Sequence, residues 1–395
     1  MAKLTEIVRL CVEKNATDIH LKVDRPPILR INNVLIFTQL PSITPQDLKN
    51  FLSEISLPDQ QEKLAINKEL DFGHTFPDLG RFRINVYFQR GEIGIAMRLV
   101  RTKIPEFEEL GLPPVLAEIS RFDSGLVLVA GPTSSGKSTT IAALVEYINQ
   151  NQQVHIMTVE DPVEYIYTDK KSIVNQREVG IDTASFHNAL KYVMREDPDI
   201  IVIGEMRDPE TFEAALSASE TGHLVLSTVH ALDTVSIFTR IMDFFPSQSH
   251  EQVRKQLAYH VKATISQKLL PRADQNGLIP AVEVMISTPT IIKLIHDNQI
   301  LKIPAGMRAE KDLGMQTFND ALIKLIQENQ ILKIPAGMRA EKNLGMQTFN
   351  DALIKLIQEK KVTRESALTI SPNPDALQMN LKGIFLDEET RIVGM

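Results

Sequence analysis

The chain has 395 residues, 43% hydrophobic and 24% charged, which suits a soluble globular protein of two or three domains with ample core. A net charge of −7 argues against a generally basic nucleic-acid binder, and the single cysteine, Cys11, excludes an internal disulfide and a cysteine-based zinc site. Met1 to Leu10 carries charges and no signal-peptide core, and no apolar run approaches a membrane span, so any membrane relation is expected to be peripheral, through a partner.

Leu4 to Lys14 places Leu4, Ile7, Val8, Leu10 and Cys11 at helical spacing, which predicts a first helix with Cys11 as a buried structural thiol. Asp18 to Val23 alternates and predicts a strand. The runs Ile28–Ile31 and Val34–Ile36, around Asn32-Asn33, read as a hairpin. Thr44 is placed to cap a helix over Pro45–Ile55, with proline at its first position. Two more strands follow, Gly80–Phe88 and Gly94–Val100. These elements predict a small α+β domain, residues 1–101, followed by a proline-rich linker, 102–114.

Residues 115–395 read as a second domain. Short apolar runs, Leu126–Ala130, His155–Val159, Ile200–Gly204 and Leu224–Ser227, alternate with helical stretches over Thr140–Gln150, Ala184–Arg195 and Asp208–Thr221. That pattern predicts a mostly parallel sheet covered on both faces. Beyond it the chain reads as mainly helical, over Ser249–Ile265, Ile291–Ile295 and Phe318–Gln327, interrupted by one strand, Leu278–Ile286.

Residues 298–328 recur as residues 329–359, and the copies differ only at Asp312 versus Asn343. So little divergence points to a recent tandem duplication rather than an old solenoid. Each copy reads as a loop with Pro304 or Pro335, a turn at Gly314 or Gly345, and a helix capped by Thr317 or Thr348.

The chemistry begins after the run Leu126–Val129. Gly131-Pro132-Thr133-Ser134-Ser135-Gly136-Lys137-Ser138 is a phosphate-loop pattern between a strand and a helix. Backbone N–H groups of Thr133, Ser134, Ser135, Gly136 and Thr139 are expected to line the phosphates of ATP, aided by the helix N-terminus. Lys137 would reach the β- and γ-phosphates, and Ser138 would hold Mg²⁺. Glu205 follows the strand Ile200–Gly204, where a sheet places an acid beside such a loop. Glu160, Asp161 and Glu164 crowd one turn, and spacing alone does not choose between Glu160 and Glu164 as the group that orients water. His223 and His230 flank another strand and fit either γ-phosphate sensing or structural hydrogen bonding. Arg81 and Arg83 point to one face of a strand, which suits a solvated face or arginines acting on a neighbouring subunit's nucleotide. The second role requires an oligomer, and a head-to-tail interface closes into a ring.

Taken together, these motifs resemble the secretion ATPase superfamily, most closely its PilT-like type IV pilus retraction ATPases. The resemblance runs from about Leu4 to Gly383. It is carried by Ala16-Thr17-Asp18-Ile19-His20-Leu21, Gly80-Arg81-Phe82-Arg83-Ile84-Asn85, the phosphate loop, Thr158 to Tyr165, Asn175-Gln176-Arg177-Glu178-Val179, Arg195 to Asp199, Gly204-Glu205-Met206-Arg207-Asp208, Thr221-Gly222-His223 and Thr228-Val229-His230. It implies a RecA-like P-loop NTPase domain preceded by a PAS-like α+β domain, in a homohexameric ring. It also implies ATP and Mg²⁺ as ligands and an inner-membrane pilus platform protein as partner, with no nucleic acid. The location it implies is cytoplasmic, peripheral at the membrane face. By the same resemblance Glu164 is the water-activating residue, Glu205 is the Walker B acid with Ser138 at the metal, and His223 and His230 form the His box. Arg81 and Arg83 match arginines that reach nucleotide from the N-terminal domain.

Absence of the four-cysteine zinc motif points to the retraction branch, as does Gly314-Met315-Gln316-Thr317. Two departures stand out. Ser134 replaces the family's usual glycine, which reduces local backbone freedom. Thr290 to Asp297 lacks both arginines of the corresponding family helix, a change that bears on motor output rather than hydrolysis. An accessory ring ATPase is therefore the alternative reading, and a nucleic-acid translocase is opposed by the acidic charge.

Overall fold

The computed structural model describes residues 3–31, 34–100, 103–274, 277–328, 330–331, 353–354, 357, 363–370, 377–378 and 381. The chain divides into two compact units. The first comprises residues 1–104 together with 160–168 and 176–185; the second comprises 105–159, 169–175 and 186–395.

The first unit opens with helix α1, Leu4–Glu13. Leu4, Ile7, Val8 and Cys11 recur every three or four residues, so they form one stripe, and all are buried. Burial pushes the Cys11 thiol up to about 11, as expected of an inert structural cysteine. Strands β1 (Asp18–Lys22), β2 (Ile28–Ile31) and β3 (Val34–Phe37) follow. Helix α2 spans Pro45–Ile55, and Thr44 and Asp47 exchange hydrogen bonds in a capping box at its start. Two elements escape the sequence reading, helix α3 (Pro58–Asn67) and strand β4 (Glu69–Phe76). Helix α3 buries only Leu64, so its apolar period is faint. Strands β5 (Gly80–Gln89) and β6 (Glu92–Leu99) complete a six-stranded sheet in the order β3-β2-β1-β6-β5-β4. Its pairings are antiparallel.

The second unit begins inside the stretch read as a linker. That stretch holds helix α4, Phe107–Leu110, and buries Phe107. Helix α5 (Val115–Ile119), strand β7 (Gly125–Ala130) and helix α6 (Lys137–Asn151) come next. Strands β8 (His155–Glu160) and β9 (Ile173–Glu178), helix α7 (Phe186–Val193) and strand β10 (Ile200–Ile203) follow. Helix α8 (Pro209–Glu220), strand β11 (Leu224–Val229) and helix α9 (Thr234–Met242) complete the alternation. With β12 (Val261–Pro271) and β13 (Leu278–Ile286), the seven-stranded sheet runs β13-β12-β7-β11-β10-β8-β9. Strands β12, β7, β11, β10 and β8 are parallel neighbours. Strand β7 is buried along its whole length, which explains its lack of polar alternation.

The helix expected over Ser249–Ile265 is shorter: α10 spans His250–His260, and Val261–Pro271 forms strand β12. Strand β12 lies between β7 and β13 (Leu278–Ile286) and is buried on both faces. Val261, Ala263 and Ile265 alternate with Lys262, Thr264 and Ser266 at the period of a strand, a signal that the helical reading of this stretch passed over. Helices α11 (Pro289–His296), α12 (Ile303–Ala309) and α13 (Phe318–Gln327) follow. Pro304 starts the short helix α12 rather than sitting in a loop. Gly314 is left-handed at φ 85°, and Thr317 with Asp320 forms a capping box for α13. The second copy of the repeat, with Pro335, Gly345 and Thr348, lies outside the described residues except at isolated positions. Among the described residues no helix is long and apolar enough to cross a membrane.

Candidate functional site

The phosphate loop leaves the carboxyl end of β7 and enters α6. Its shape depends on two glycines. A Cβ on Gly131 would lie 2.3 Å from Ser135 Oγ and 2.5 Å from the Gln267 carbonyl, so no side chain fits there. Gly136 is left-handed at φ 90°, and a Cβ there would meet Gln267 Nε2 at 2.7 Å. Thr133 and Ser134 are exposed, Ser135 and Lys137 are buried, and Ser138 and Thr139 are half-buried on the first turn of α6. Lys137 Nζ donates to the carbonyls of Gly131 (2.9 Å) and Pro132 (3.1 Å), which fold the ammonium against its own loop. The Ser135 hydroxyl is buried without a hydrogen-bond partner. An orphaned donor inside a glycine-shaped loop at a helix N-terminus fits an anionic phosphate.

Ser134 stands at φ 63°, a left-handed conformation that a side chain disfavours. The loop keeps the geometry a glycine would supply and carries the strain instead.

Gln267, on β12, braces the loop. Its Nε2 donates to the Ser135 carbonyl at 2.8 Å, and its Oε1 accepts from Thr140 Oγ1 at 2.7 Å. It lies 127 residues beyond Thr140, and beside Lys262, Thr264, Ser266 and Lys268 in the same strand nothing in the sequence singles it out.

Glu205 follows β10. Its two oxygens accept from His230 Nε2 (3.0 Å) and Arg207 Nη2 (2.7 Å). Neighbouring backbone is locked as well: Ser227 Oγ donates to the Ile203 carbonyl and Thr228 Oγ1 to the Gly204 carbonyl. Strand β11 is in register with β7, Val229 opposite Ala130, so His230 lies at the level where the phosphate loop starts.

His223 is not brought to that end. It precedes Leu224, which pairs with Gly125, at the start of both strands. The six residues of β11 separate it from the loop's level, about 23 Å at the usual rise. There Nδ1 donates to the Ala218 carbonyl at 3.0 Å, in the last turn of α8. Parallel register thus places it at the opposite end of the strand from this chain's own phosphate loop.

The first unit carries the other charged groups. Gln176 Nε2 donates to Glu160 (3.1 Å) and to the Tyr165 carbonyl (2.8 Å), and Gln176 Oε1 accepts from the Tyr167 N–H. Glu160 is therefore occupied in bracing the turn. Glu164 is exposed between buried Val163 and Tyr165, so its carboxylate is presented outward by two anchors. The peptide between Asp161 and Pro162 in this turn is cis.

Arg81 and Arg83 share a face of β5, as alternation requires. Asp71, on β4, takes Arg83 at both Nε and Nη2 and holds its guanidinium above the ordinary range. Arg81 Nη2 lies 3.4 Å from Glu178 Oε2. Burial raises the Glu178 carboxyl above the usual range, against the opposing pull of Arg81.

Residues 78–301 match the family described as Type II/IV secretion system protein. The chain is 38% identical over 319 residues to the type IV pilus retraction ATPase PilT of Pseudomonas aeruginosa, covering 81% of this chain and 92% of that protein. It is also 38% identical over 318 residues to the type IV pilus ATPase PilU of the same organism, covering 80% and 83% of the two chains. A crystal structure of the pilus retraction motor PilT with bound ADP matches with a TM-score of 0.79 at 43% identity, over 84% of this chain and 95% of that one. Fold, phosphate loop and sequence agree: the chain belongs to the type II/IV secretion system protein family, as one of its PilT-like nucleotide-binding ATPases.

Proposed function

We propose that this protein is a ring ATPase that powers retraction of a type IV pilus. The observation that carries the reading is near-full-length similarity to PilT in a chain whose phosphate loop and Glu205–His230 pair meet at one end of one sheet. The working form is a cytoplasmic homohexamer, attached to the membrane face through a platform protein. Residues 1–101 form its PAS-like domain, 102–114 its linker and 115–395 its RecA-like domain.

ATP binds with its phosphates along the backbone of Thr133 to Thr139. The Lys137 ammonium exchanges loop carbonyls for phosphate oxygens. Ser138 and Glu205 would hold Mg²⁺, which would neutralise charge on the transferred phosphoryl group. Exposed Glu164 accepts a proton from the attacking water. His230 steadies Glu205 and follows the γ-phosphate. Arg81 and Arg83 enter from the neighbouring subunit and stabilise developing negative charge. Closing of each interface on ATP, and reopening after hydrolysis, moves the partner.

An accessory ring ATPase is favoured by two observations. Helix α11 carries Lys293 and His296 but no arginine, and identity to PilU equals that to PilT. ATPase assays on wild-type, Lys137→Ala and Glu164→Gln proteins test the hydrolysis, with losses of about a thousandfold expected. Undiminished turnover in either variant would contradict the site. Complementation of a strain lacking its retraction ATPase separates the two readings: restored twitching supports the motor, and an active enzyme that restores none supports the accessory.

A further inference from the structure

The setting of Arg81 depends on two residues that the hydrolysis scheme leaves unused. In the β4–β5 ladder, Gly73 pairs with Arg83 and Thr75 with Arg81. The Arg81 guanidinium lies over Gly73: a Cβ there would stand 2.4 Å from Nη2 and 2.9 Å from Cζ. Even a methyl group would push the guanidinium away. A glycine inside a strand marks such a close approach.

The same nitrogen, Nη2, meets Glu178. Glu178 is only 6% exposed and is firmly fixed. Its N–H donates to Asp182 Oδ2 at 2.8 Å, and the next N–H, of Val179, donates to the Glu160 carbonyl at 2.9 Å. Its carboxylate also accepts from the Val163 N–H, one residue before Glu164. One buried carboxylate therefore touches both the arginine and the turn that presents Glu164.

The two arginines differ in what they have left to give. Arg83 commits Nε and Nη2 to Asp71. The Glu178 contact engages a single nitrogen of Arg81. A guanidinium has five N–H donors, so most of the Arg81 fork stays available to phosphate oxygens.

We propose that Gly73 and Glu178 are positioning residues that hold the Arg81 guanidinium in place for the nucleotide of a neighbouring subunit. Gly73 does so by leaving room, and Glu178 by fixing one nitrogen of the fork. This inference rests on the reading of Arg81 as a residue that acts in trans.

The test is steady-state ATPase kinetics on the full-length assembled protein. The variants are Gly73→Ala, Glu178→Gln, Arg81→Lys and the two doubles that combine Arg81→Lys with each of the others. Lysine lacks the nitrogen on which both positioning residues act. Each single variant is expected to lower kcat about 10- to 100-fold, as a misplaced charge does. KM should stay within about twofold, because binding of the nucleotide is untouched. Each double should be no slower than Arg81→Lys alone, since residues acting through one group are not additive. Glu178→Gln is isosteric and carries the test if Gly73→Ala fails to assemble. Doubles that fall by the product of the single effects, or singles with wild-type kcat, overturn the proposal and leave Arg81 in its role. A wild-type rate for Arg81→Lys would instead remove the trans reading, and the proposal with it.

Discussion

At the carboxyl end of β11, His230 donates to Glu205; at the amino end, His223 donates to the last turn of α8. Both histidines belong to one motif, and the strand between them crosses the sheet. Parallel register sets them apart: the phosphate loop leaves the sheet at the His230 end. His223 sits where a helix exposes unsatisfied carbonyls, a place that favours a donor whatever the enzyme does. On the proposed reading the pair combines a chemical group with a structural one, and the strand direction separates them.

That contrast is open to direct attack. His230→Ala should lower kcat about a hundredfold at unchanged thermal midpoint, because Glu205 loses its partner at the phosphate end. A mutant with wild-type turnover would remove His230 from the chemistry.

The second effect is a pH dependence in the first unit. The Glu178 carboxyl is raised by burial, so it protonates at a higher pH than an exposed glutamate, and its charged hold on Arg81 is lost as pH falls through that value. The rate should fall about tenfold on this acid limb, and Glu178→Gln should be slow throughout with the limb missing. The stability effect has the opposite sense. A raised folded-state value means that folding favours the proton, a contribution complete below the unfolded value and lost as pH rises through the folded one. Thermal unfolding should therefore show Glu178→Gln gaining on wild type as pH rises; a constant difference would contradict it.

Smaller effects come from the structural residues. His223→Ala should cost about 1 kcal/mol in denaturant unfolding, the value of one hydrogen bond at a helix end, and leave kcat unchanged. A loss of turnover matching that of His230→Ala would break the comparison between the two ends. Ser134→Gly should relieve the left-handed strain and stabilise by about 0.5 kcal/mol after the added chain entropy of glycine, measured by the same unfolding.

Much of the fold was legible because its signals are local. Helices α2 and α13 lie where Thr44 and Thr317 cap an apolar period, and the phosphate loop is a contiguous pattern. Strand β12 hid because helix α10 runs directly into it at His260, although residues 261–266 alternate, and α3 because it buries a single leucine. The site divides the same way. Lys137, Ser138 and Glu205 follow from strand-end position. Gln267 and Glu178 act through contacts with distant parts of the chain, and Gly73 through a close approach across the β4–β5 hairpin; their only traces are one polar residue among several in β12, a glycine within a strand, and a glutamate in a matched motif.

The central claim is that each nucleotide is served by two subunits, and mixed rings test it most directly. Lys137→Ala subunits keep Arg81 but lose their own phosphate site; Arg81→Ala subunits keep the phosphate site but deprive their neighbour. Each alone should be nearly inactive. Mixed and reassembled, they form interfaces with an intact Lys137 on one side and an intact Arg81 on the other. The account predicts ATPase activity well above that of either variant alone. A mixture that merely averages the two inactive rates would contradict it.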